Sequence, residues 1–174
     1  MDQLPVSPLK PKTMAALEPQ RGLKIATGNS GTRYRGRDDV TLVVFPAGTT
    51  VAGVFTKSRC PGAPVDWSRQ VLTQGGGTAR ALLVNAGNAN AFTGSRGVQA
   101  CQVTAEAVAK AVGCRPQDVM LSSTGVIGEP LEADAIAAVA TDLAAQATED
   151  DLHAAAQANM TTDTFGTWAA ARAG

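Results

Sequence analysis

Residues 81–112, ALLVNAGNANAFTGSRGVQACQVTAEAVAKAV, contain the pattern that decides the fold class. The run Ala81–Val84 is short and apolar, which is typical of a buried strand. An asparagine- and glycine-rich loop, Asn85–Gly94, separates this strand from a long stretch with helical periodicity. We predict a helix from Ser95 to about Val112. A buried strand followed by an amphipathic helix indicates an α/β domain in which helices cover a sheet.

The helix prediction depends on the spacing of its apolar residues. Gly113 follows the last of them and is typical of a helix C-cap. A free thiol on an apolar helix face behaves as a small hydrophobic group, so we expect Cys101 to lie in the core. The apolar residues recur at alternating steps of three and four, as expected for one helix face: Val98, Cys101, Ala105, Val108 and Val112.

A hairpin is predicted upstream of this unit. The apolar run Val40–Phe45 is closed by Pro46-Ala47-Gly48, and the β-branched run Thr50–Thr56 follows. Two such runs joined by a short turn containing glycine are typical of antiparallel neighbours. Before them, residues 1–22 are proline-rich and lack periodicity, so we expect an extended lead-in followed by one domain over residues 23–174.

The remaining elements alternate between helix and strand. Each is bounded by turn residues or by a change in hydrophobic period. A helix-starting role for Thr148 is suggested by Asp151 three residues later. The predictions are a loop over Lys57–Pro64, a helix over Asp66–Gln74, a strand over Val119–Ser122, a helix over Glu132–Gln146 and a last helix from Thr148 to near Met160.

Composition and charge exclude several classes of protein. The 174 residues include 15 basic and 15 acidic side chains, so no overall field favours nucleic acid or a membrane surface as a partner. The three cysteines lack metal-ligand spacing and do not suggest a disulfide framework. The first residues do not resemble a signal peptide, and no run approaches the roughly 18 apolar residues of a membrane span. We therefore expect a cytoplasmic protein without a metal or cofactor.

The loop Asn85–Gly94 is the first candidate for chemistry. Its amides and glycines could bind an anion at the start of the following helix. Its glycines do not have the spacing of the dinucleotide-binding motif. The same asparagines could instead hydrogen-bond to neighbouring backbone as Asx-turns. Both interpretations stay open on the residues alone.

The segment Leu121–Gly128 is the second candidate. In Ser123-Thr124-Gly125 a hydroxyl precedes a glycine, so a side-chain O–H and a bare backbone N–H can be directed at one point. Acyl transfer requires such donors, because the carbonyl oxygen becomes anionic in the tetrahedral intermediate. Serine, threonine and glycine are also ordinary residues at the end of a strand. From spacing alone, an ordinary strand-to-turn transition is the better interpretation.

Three further features are weaker. The hydroxyl-rich run Met160–Thr164 could be a simple turn after a helix. His153 has no second histidine or cysteine near it, so a structural or exposed role is the better interpretation. The alternating basic residues Arg33, Arg35 and Arg37 would share one side of an extended segment, where a solvated face is a better interpretation than a phosphate site.

The order of four segments resembles the ornithine acetyltransferase (glutamate N-acetyltransferase) family, and specifically its α chain. Single segments of this kind are weak signals, but four in register over residues 22 to 165 are specific. The segments are Ala52–Arg59 with Ala63-Pro64-Val65, the loop Asn85–Gly94, Ser123–Gly128, and Met160–Thr164.

This resemblance implies a function for the chain. Members of that family cleave themselves before a threonine, and the new N-terminal threonine of the β chain takes acetyl from N-acetylornithine and passes it to glutamate. The resemblance implies that Thr124 (side chain) and Gly125 (backbone N–H) form the oxyanion hole and that Thr161 contacts substrate. It also implies a layered α-β-β-α sandwich completed by the β chain, within an α2β2 heterotetramer.

One departure concerns the end of the sequence. The family's Lys-Gly segment and its Ala–Thr cleavage junction follow the Met-Thr-Thr-Asp motif, and neither occurs up to Gly174. The nucleophile and a substrate-contacting lysine are therefore expected outside these residues, and this chain alone is not expected to catalyse a reaction. Alternative functions are a related self-processing amidohydrolase or aminopeptidase, or a non-catalytic binding module. Use of acetyl-CoA as a second donor also stays open.

Overall fold

The computed structural model describes residues 5–149 and 151–171. Its centre is a four-stranded sheet with the strand order β1-β2-β3-β4. Strands β1, β2 and β3 are antiparallel neighbours, whereas β4 runs parallel to β3. The strands are β1 (Lys24–Gly28), β2 (Val40–Val44), β3 (Ala81–Asn88) and β4 (Val119–Val126). This mixed sheet with helices confirms the α/β class.

In the described residues, four helices pack against the sheet. They are α1 (Ala63–Gln74), α2 (Gly94–Val112), α3 (Ala133–Gln146) and α4 (Leu152–Ala158), and a 3₁₀ turn over Pro116–Asp118 precedes β4. The helix α2 is the crossover that parallel strands require between β3 and β4. It ends at Gly113, whose φ of 76° is the left-handed conformation that glycine adopts without strain. The predicted bounds of α2 and α3 differ from the observed ones by one residue.

The hydrophobic core lies between one face of the sheet and the helices α2 and α3. Its buried side chains come from alternate strand positions and from one stripe of each helix. Cys101 belongs to this core, as predicted. Val98 does not, because its side chain is 62% exposed. The principal core residues are Ala26, Val40, Leu42, Leu83, Cys101, Ala105, Val108, Val119, Leu121, Ile136, Ala140 and Leu143.

The predicted hairpin is wrong. The turn after β2 does form, with the Thr49 amide donating to the Pro46 carbonyl oxygen at 3.2 Å. Both edges of β2 are occupied by β1 and β3, however, so no edge is left for a following strand. Residues 50–51 pair instead with residues 77–78, through a bridge between Thr50 and Thr78. The chain then continues without strand structure to residue 60.

The strand β1 was not predicted. Its sequence, KIATG, has a single large apolar residue and no clear alternation. Ile25 is nevertheless buried, and its backbone N–H donates to the Thr148 carbonyl oxygen at 2.7 Å. Thr148 therefore covers the outer edge of β1. It does not cap α4, whose N-cap residue is Asp151.

The lead-in follows the surface of the domain over its described part. From residue 5 to residue 22 it contains no strand or helix. The Ser7 amide donates to the Thr164 hydroxyl at 2.9 Å, and the Trp168 indole N–H donates to the Ala15 carbonyl oxygen at 2.7 Å. The lead-in therefore contacts the segment that follows α4. Residues 1–4 and 172–174 lie outside the described part of the chain.

Candidate active site

Thr124 and Gly125 lie in β4, near its carboxyl end. The predicted strand Val119–Ser122 is longer than expected and continues to Val126. Thr124 pairs in register with Ala86 of β3, and Gly125 pairs with Gly87. Side chains alternate along a strand, so Thr124 shares a face with Ser122 and lies opposite the core residue Leu121. This is the face that α2 and α3 do not cover.

The backbone N–H and C=O groups of β4 point alternately towards β3 and away from it. The Val126 carbonyl oxygen accepts from the Ala89 N–H, and the Asp118 carbonyl oxygen accepts from the Arg80 N–H, both at 2.8 Å. Even-numbered residues of β4 therefore direct their polar groups at β3. In a strand the polar groups of the intervening residues point the other way. Since β4 is an edge strand, the odd-numbered residues direct theirs at the free edge.

The helix α1 covers the first part of this edge. The Trp67 indole N–H donates to the Val119 carbonyl oxygen at 2.8 Å. The Ser68 hydroxyl donates to the Leu121 carbonyl oxygen at 2.7 Å and accepts from the Leu121 N–H at 3.1 Å. These two side chains replace a fifth strand. They end at Leu121, so the edge groups of Ser123 and Gly125 have no such cover.

Gly125 is held against β3 so closely that no side chain fits. Its φ is 135°, a backbone conformation that residues with a Cβ rarely adopt. A Cβ built on Gly125 would overlap the Gly87 carbonyl carbon and would lie 2.5 Å from the Asn88 nitrogen. The glycine therefore lets the two strands stay paired while the Gly125 N–H faces outward.

The Thr124 hydroxyl is free. The side chain is half-buried, and its oxygen has no hydrogen-bond partner among residues 5–149 and 151–171. A free hydroxyl and an outward backbone N–H thus occur on consecutive residues at one corner of the sheet. Two such donors can stabilise an oxyanion when they are fixed before the reaction begins.

A cavity of about 450 Å³ lies along the same edge, beside Ser122 and Ser123. Its wall is mostly apolar, and it lies between α1, the loop that precedes α1 and the end of β4. The lining residues include Phe55, Pro64, Val65, Ala91, Met120 and Ser123. Its lining along β4 ends at Ser123, the residue before Thr124.

Three asparagines of the segment Asn85–Gly94 support this corner from the core side. Asn85 and Asn88 belong to β3, so the predicted loop begins only after Asn88. The Ser123 hydroxyl and Asn85 Oδ1 are 2.6 Å apart, with the hydroxyl as donor. The Asn85 amide donates to the Asn88 carbonyl oxygen at 2.9 Å, and Asn88 Oδ1 accepts from the Asn90 N–H at 2.7 Å. All three asparagines are buried. Asn88 makes the expected Asx-turn contact with the backbone N–H two residues on, whereas Asn85 and Asn90 donate to carbonyl oxygens three and seven residues on.

The network continues in two directions. The Asn88 amide donates to the carbonyl oxygens of Glu129 and Pro130, at 3.1 and 3.3 Å, in the turn that follows β4. The Asn90 amide donates to the Gly97 carbonyl oxygen at 3.1 Å and contacts the Cys101 sulfur at 3.5 Å. The loop therefore links the end of β4 to the first turns of α2. Its side-chain amides are engaged within the chain rather than free for an anion.

Thr161 lies after α4, which packs on the same sheet face as Thr124. The Thr41 hydroxyl donates to Asn159 Oδ1 at 3.1 Å, and Thr41 projects from the face opposite Leu42. The Thr161 N–H donates to Asp163 Oδ2 at 3.0 Å. The structure thus puts both predicted residues on one side of the sheet. No hydrogen bond joins Thr161 to Thr124.

The three arginines do not form one face. Arg33 pairs with Glu129 at 3.3 Å on the surface. The Arg37 guanidinium lies over the Tyr34 ring, 3.8 Å from its centre, and contacts the Met160 carbonyl oxygen. Arg35 is exposed. The segment is a loop rather than a strand, so the expected alternation does not apply.

His153 has a packing role on the surface. It is exposed, and its ring meets the Trp168 ring edge-on with 4.6 Å between their centres. This agrees with the structural or exposed role expected from its isolated position.

No helix in the described residues is long and apolar enough to cross a bilayer.

Sequence reasoning missed the residues that act through strand pairing. Gly87, Ser68 and Asp39 each touch the Thr124 corner or its supports, but Ser68 and Asp39 belong to no local motif, and Gly87 was not singled out within the segment Asn85–Gly94. One signal could have found Gly87. A glycine inside a strand often marks a place where another stretch of backbone approaches closely. Ser68 and Asp39 had no signal that spacing could reveal.

The chain is similar to several known proteins. The ArgJ family profile matches residues 24–174. The arginine biosynthesis bifunctional protein ArgJ of Rhizobium meliloti is 56% identical over 160 residues, which cover 92% of this chain and 38% of that protein. The protein of the same name from Nitrobacter winogradskyi is 52% identical over 169 residues, covering 96% of this chain and 40% of its own length.

Two solved structures are also similar. The ornithine acetyltransferase of Mycobacterium tuberculosis, crystallised with ornithine, has a TM-score of 0.77 and 36% identity, covering 83% of this chain and 78% of the solved one. The arginine biosynthesis bifunctional protein ArgJ of Bacillus halodurans has a TM-score of 0.74 and 30% identity, covering 83% and 74%. The chain spans well under half the length of the two curated relatives. It belongs to the ArgJ family.

Proposed function

We propose that this chain is the oxyanion-stabilising α part of an acyltransferase that moves acetyl from N-acetylornithine to glutamate. Its relatives are described as arginine biosynthesis bifunctional proteins, and one solved relative is an ornithine acetyltransferase with ornithine bound. In this proposal the acetyl group is carried on a threonine as an ester between the two half-reactions. Splitting the transfer in this way is nucleophilic catalysis.

The open corner formed by Thr124 and Gly125 carries the proposal. In each half-reaction the acetyl carbonyl oxygen becomes negatively charged. The Gly125 N–H and the Thr124 O–H then donate to that oxygen, in a geometry that pairing with β3 fixes beforehand. Donors that need no reorganisation lower the barrier most effectively, and removal of one typically costs about a hundred- to a thousand-fold in rate.

The nucleophile is assigned to the remainder of the protein. The curated relatives are more than twice as long as the matched region, which leaves room for a second chain or domain. We assign the nucleophile to the N-terminal threonine of a β chain released from the same precursor by self-cleavage. Its own α-amine acts as the base. The assembly is then an α2β2 heterotetramer, and no cofactor takes part in the reaction.

The part of the Thr124 face that α4 leaves open supports a second layer. Leu82, Val84 and Met120 lie on the face opposite α2 and α3 and are only half-buried. Apolar side chains on an open sheet face are commonly covered by another element. In the proposed α-β-β-α sandwich the β chain supplies the second sheet. Within this arrangement residues 1–22 are a lead-in and residues 23–174 form one domain.

Thr161 is proposed as a substrate contact. It lies on the same side of the sheet as Thr124, after a helix that is bonded to β2 through Asn159 and Thr41. Its hydroxyl would bind the amino-acid part of the substrate, while the corner at Gly125 binds the acetyl oxygen.

The experiment uses the complete protein, purified with all its chains. It is mixed with N-acetylornithine alone and analysed by intact-mass and peptide mass spectrometry, after which glutamate is added. We expect an acetyl group on an N-terminal threonine that disappears when N-acetylglutamate forms. An acetyl adduct that is lost to water at the same rate with or without glutamate would indicate a hydrolase instead. A folded protein without any adduct would contradict the proposal.

A second arm concerns the donor. Acetyl-CoA replaces N-acetylornithine, and formation of N-acetylglutamate is followed by chromatography. Product formation would add acetyl-CoA to the donors. A lack of product, with the first arm positive, would restrict the enzyme to N-acetylornithine.

A further inference from the structure

Asp39 is a buried carboxylate that is incompletely paired. Its side chain is 0% exposed. Asp39 Oδ1 accepts from the Ser30 N–H at 2.7 Å, whereas Oδ2 has no hydrogen-bond partner among the described residues. Burial of an incompletely paired carboxylate is unfavourable for stability. A position occupied at such a cost calls for a specific explanation.

Asp39 lies in the same row of the sheet as Thr124. The Ala86 N–H donates to the Asp39 carbonyl oxygen at 2.8 Å, which extends the pairing of β2 with β3 by one residue. Ala86 is the register partner of Thr124 in β4. The row Asp39–Ala86–Thr124 therefore crosses three strands with its side chains on one face.

The carboxylate holds a loop that contacts β3 next to this row. Asp39 accepts from the Ser30 N–H, and Arg33 and Tyr34 of the same loop contact Gly87, the residue after Ala86. A Cβ built on Gly87 would lie 2.7 Å from Arg33 Cβ and 3.0 Å from Tyr34 Cε2, so the loop rests directly on that glycine. Gly87 is in turn the residue against which Gly125 is packed. The loop therefore contacts Gly87, and Gly87 lies beside Gly125 in the same sheet.

We propose that Asp39 is a positioning residue for the Thr124–Gly125 corner. By anchoring residues 30–34 it presses Gly87 into place, and Gly87 sets the position of the Gly125 N–H. The inference rests on the proposed function, because it concerns the same oxyanion donors. Its chain of contacts is nevertheless structural and can be tested without activity.

The test compares three variants in the complete protein. Asp39→Ala removes the acceptor for the Ser30 N–H, whereas Asp39→Asn keeps a neutral oxygen there. Asp38→Ala is the matched control, since Asp38 Oδ2 accepts from the Thr27 hydroxyl at 2.6 Å and does not hold the loop. Each variant is measured for kcat, for KM of N-acetylornithine, for thermal unfolding, and for deuterium uptake of peptides covering residues 119–128.

We expect Asp39→Ala to lower kcat by about ten-fold or more while KM changes by less than about two-fold, because the donors act on the transition state. Uptake over residues 119–128 should rise. Asp39→Asn should recover most of kcat, and Asp38→Ala should leave both kcat and uptake unchanged. A purely structural role would lower the melting temperature of both alanine variants without a selective effect on kcat or on these peptides, and that result overturns the inference.

If the Asp39→Ala protein does not accumulate, Tyr34→Ala is used instead, because it removes the ring that lies against Gly87 without changing a residue of the sheet. We expect it to raise uptake over residues 119–128 and to lower kcat; unchanged values of both would contradict the inference. Failure of the proposed function has a different signature. The wild-type protein would then transfer no acetyl, while the uptake measurements would still decide the role of Asp39.

Discussion

A side chain on Gly125 would collide with the backbone of Gly87 in the neighbouring strand, and a side chain on Gly87 would collide with Arg33. A Cβ on Gly125 would lie 2.5 Å from the nitrogen of Asn88, and one on Gly87 would lie 2.7 Å from Arg33 Cβ. The outward Gly125 N–H, the central donor of the proposed site, thus depends on backbone contact between two strands. Local sequence does not reveal this contact, because the two glycines are far apart in sequence and become neighbours only when β3 pairs with β4.

Gly125→Ala should therefore abolish acetyl transfer. The added methyl group must displace β3 or β4, and the φ of 135° is unfavourable for alanine. We expect kcat to fall by more than about a hundred-fold, the scale of a lost oxyanion donor. Gly128→Ala is the control, since Gly128 also has a positive φ but a Cβ there would meet open space. Equal activity of the two variants would contradict the assigned role of Gly125.

Ser68→Ala tests how the sheet edge is closed. The substitution leaves the Leu121 N–H and carbonyl oxygen without their partner in a buried place. We expect the free energy of unfolding to fall by about 2 to 3 kcal/mol, the typical cost of unsatisfied buried groups.

The matched control for Ser68 lies on the same helix. Thr73→Ala removes an exposed hydroxyl that only bonds to helix carbonyls, and it should change stability by less than about 0.5 kcal/mol. Denaturant unfolding of both variants measures the difference. An equal, small effect would show that the edge at Leu121 is satisfied in another way.

Asn88→Asp tests the turn after β4. An aspartate cannot donate to the carbonyl oxygens of Glu129 and Pro130, and its charge would face them. We expect a loss of about 2 kcal/mol in the free energy of unfolding. Asn159→Asp is the control, because Asn159 only accepts, from the Thr41 hydroxyl, and an aspartate still can. If both variants lose the same stability, the donor role of Asn88 is wrong.

The Cys101 thiol should be inert in the folded protein. Burial raises its pKa from 9.0 to about 12, partly offset by the Asn90 hydrogen bond. The thiolate is the reactive form, so alkylation of this residue at pH 8 should require unfolding. Since the folded state keeps the proton longer, stability should fall as the pH rises from about 9 towards 12.

Peptide mapping after iodoacetamide treatment checks this prediction. The peptide that contains Cys101 should stay unlabelled in native protein and become labelled in denaturant. Rapid labelling of that peptide under native conditions would show that the thiol is accessible.

The sequence predictions were accurate where neighbouring residues determine the structure and failed where residues far apart in sequence determine it. The helix α2 was predicted to within one residue because its apolar spacing and Gly113 are local signals. The strand β1 was missed because Ile25 is its only large apolar residue, and its strand structure depends on pairing with β2 and on Thr148. The hairpin was wrong because occupation of both edges of β2 is a property of the whole sheet.

The candidate site shows the same division. The Thr124-Gly125 pair was predicted as a donor pair from the residue types and from the family resemblance, and its catalytic role stays a prediction. The features that expose and position these two donors could not be predicted from the sequence. They are the uncovered edge beyond Leu121, the contact with Gly87 and the proposed support from Asp39, and each joins segments far apart in sequence.

Replacement of Thr124 by valine is the most direct measurement of the central claim, that this hydroxyl and the Gly125 N–H stabilise the oxyanion. Valine keeps the shape and removes a hydroxyl that has no hydrogen-bond partner among the described residues, so stability should be unaffected. Single-turnover acetyl transfer in the complete protein should slow by about a hundred- to a thousand-fold. Thr124→Ser, which retains the hydroxyl, should stay within about ten-fold of wild type. Thr124→Val transferring acetyl as fast as the unaltered protein would contradict the account.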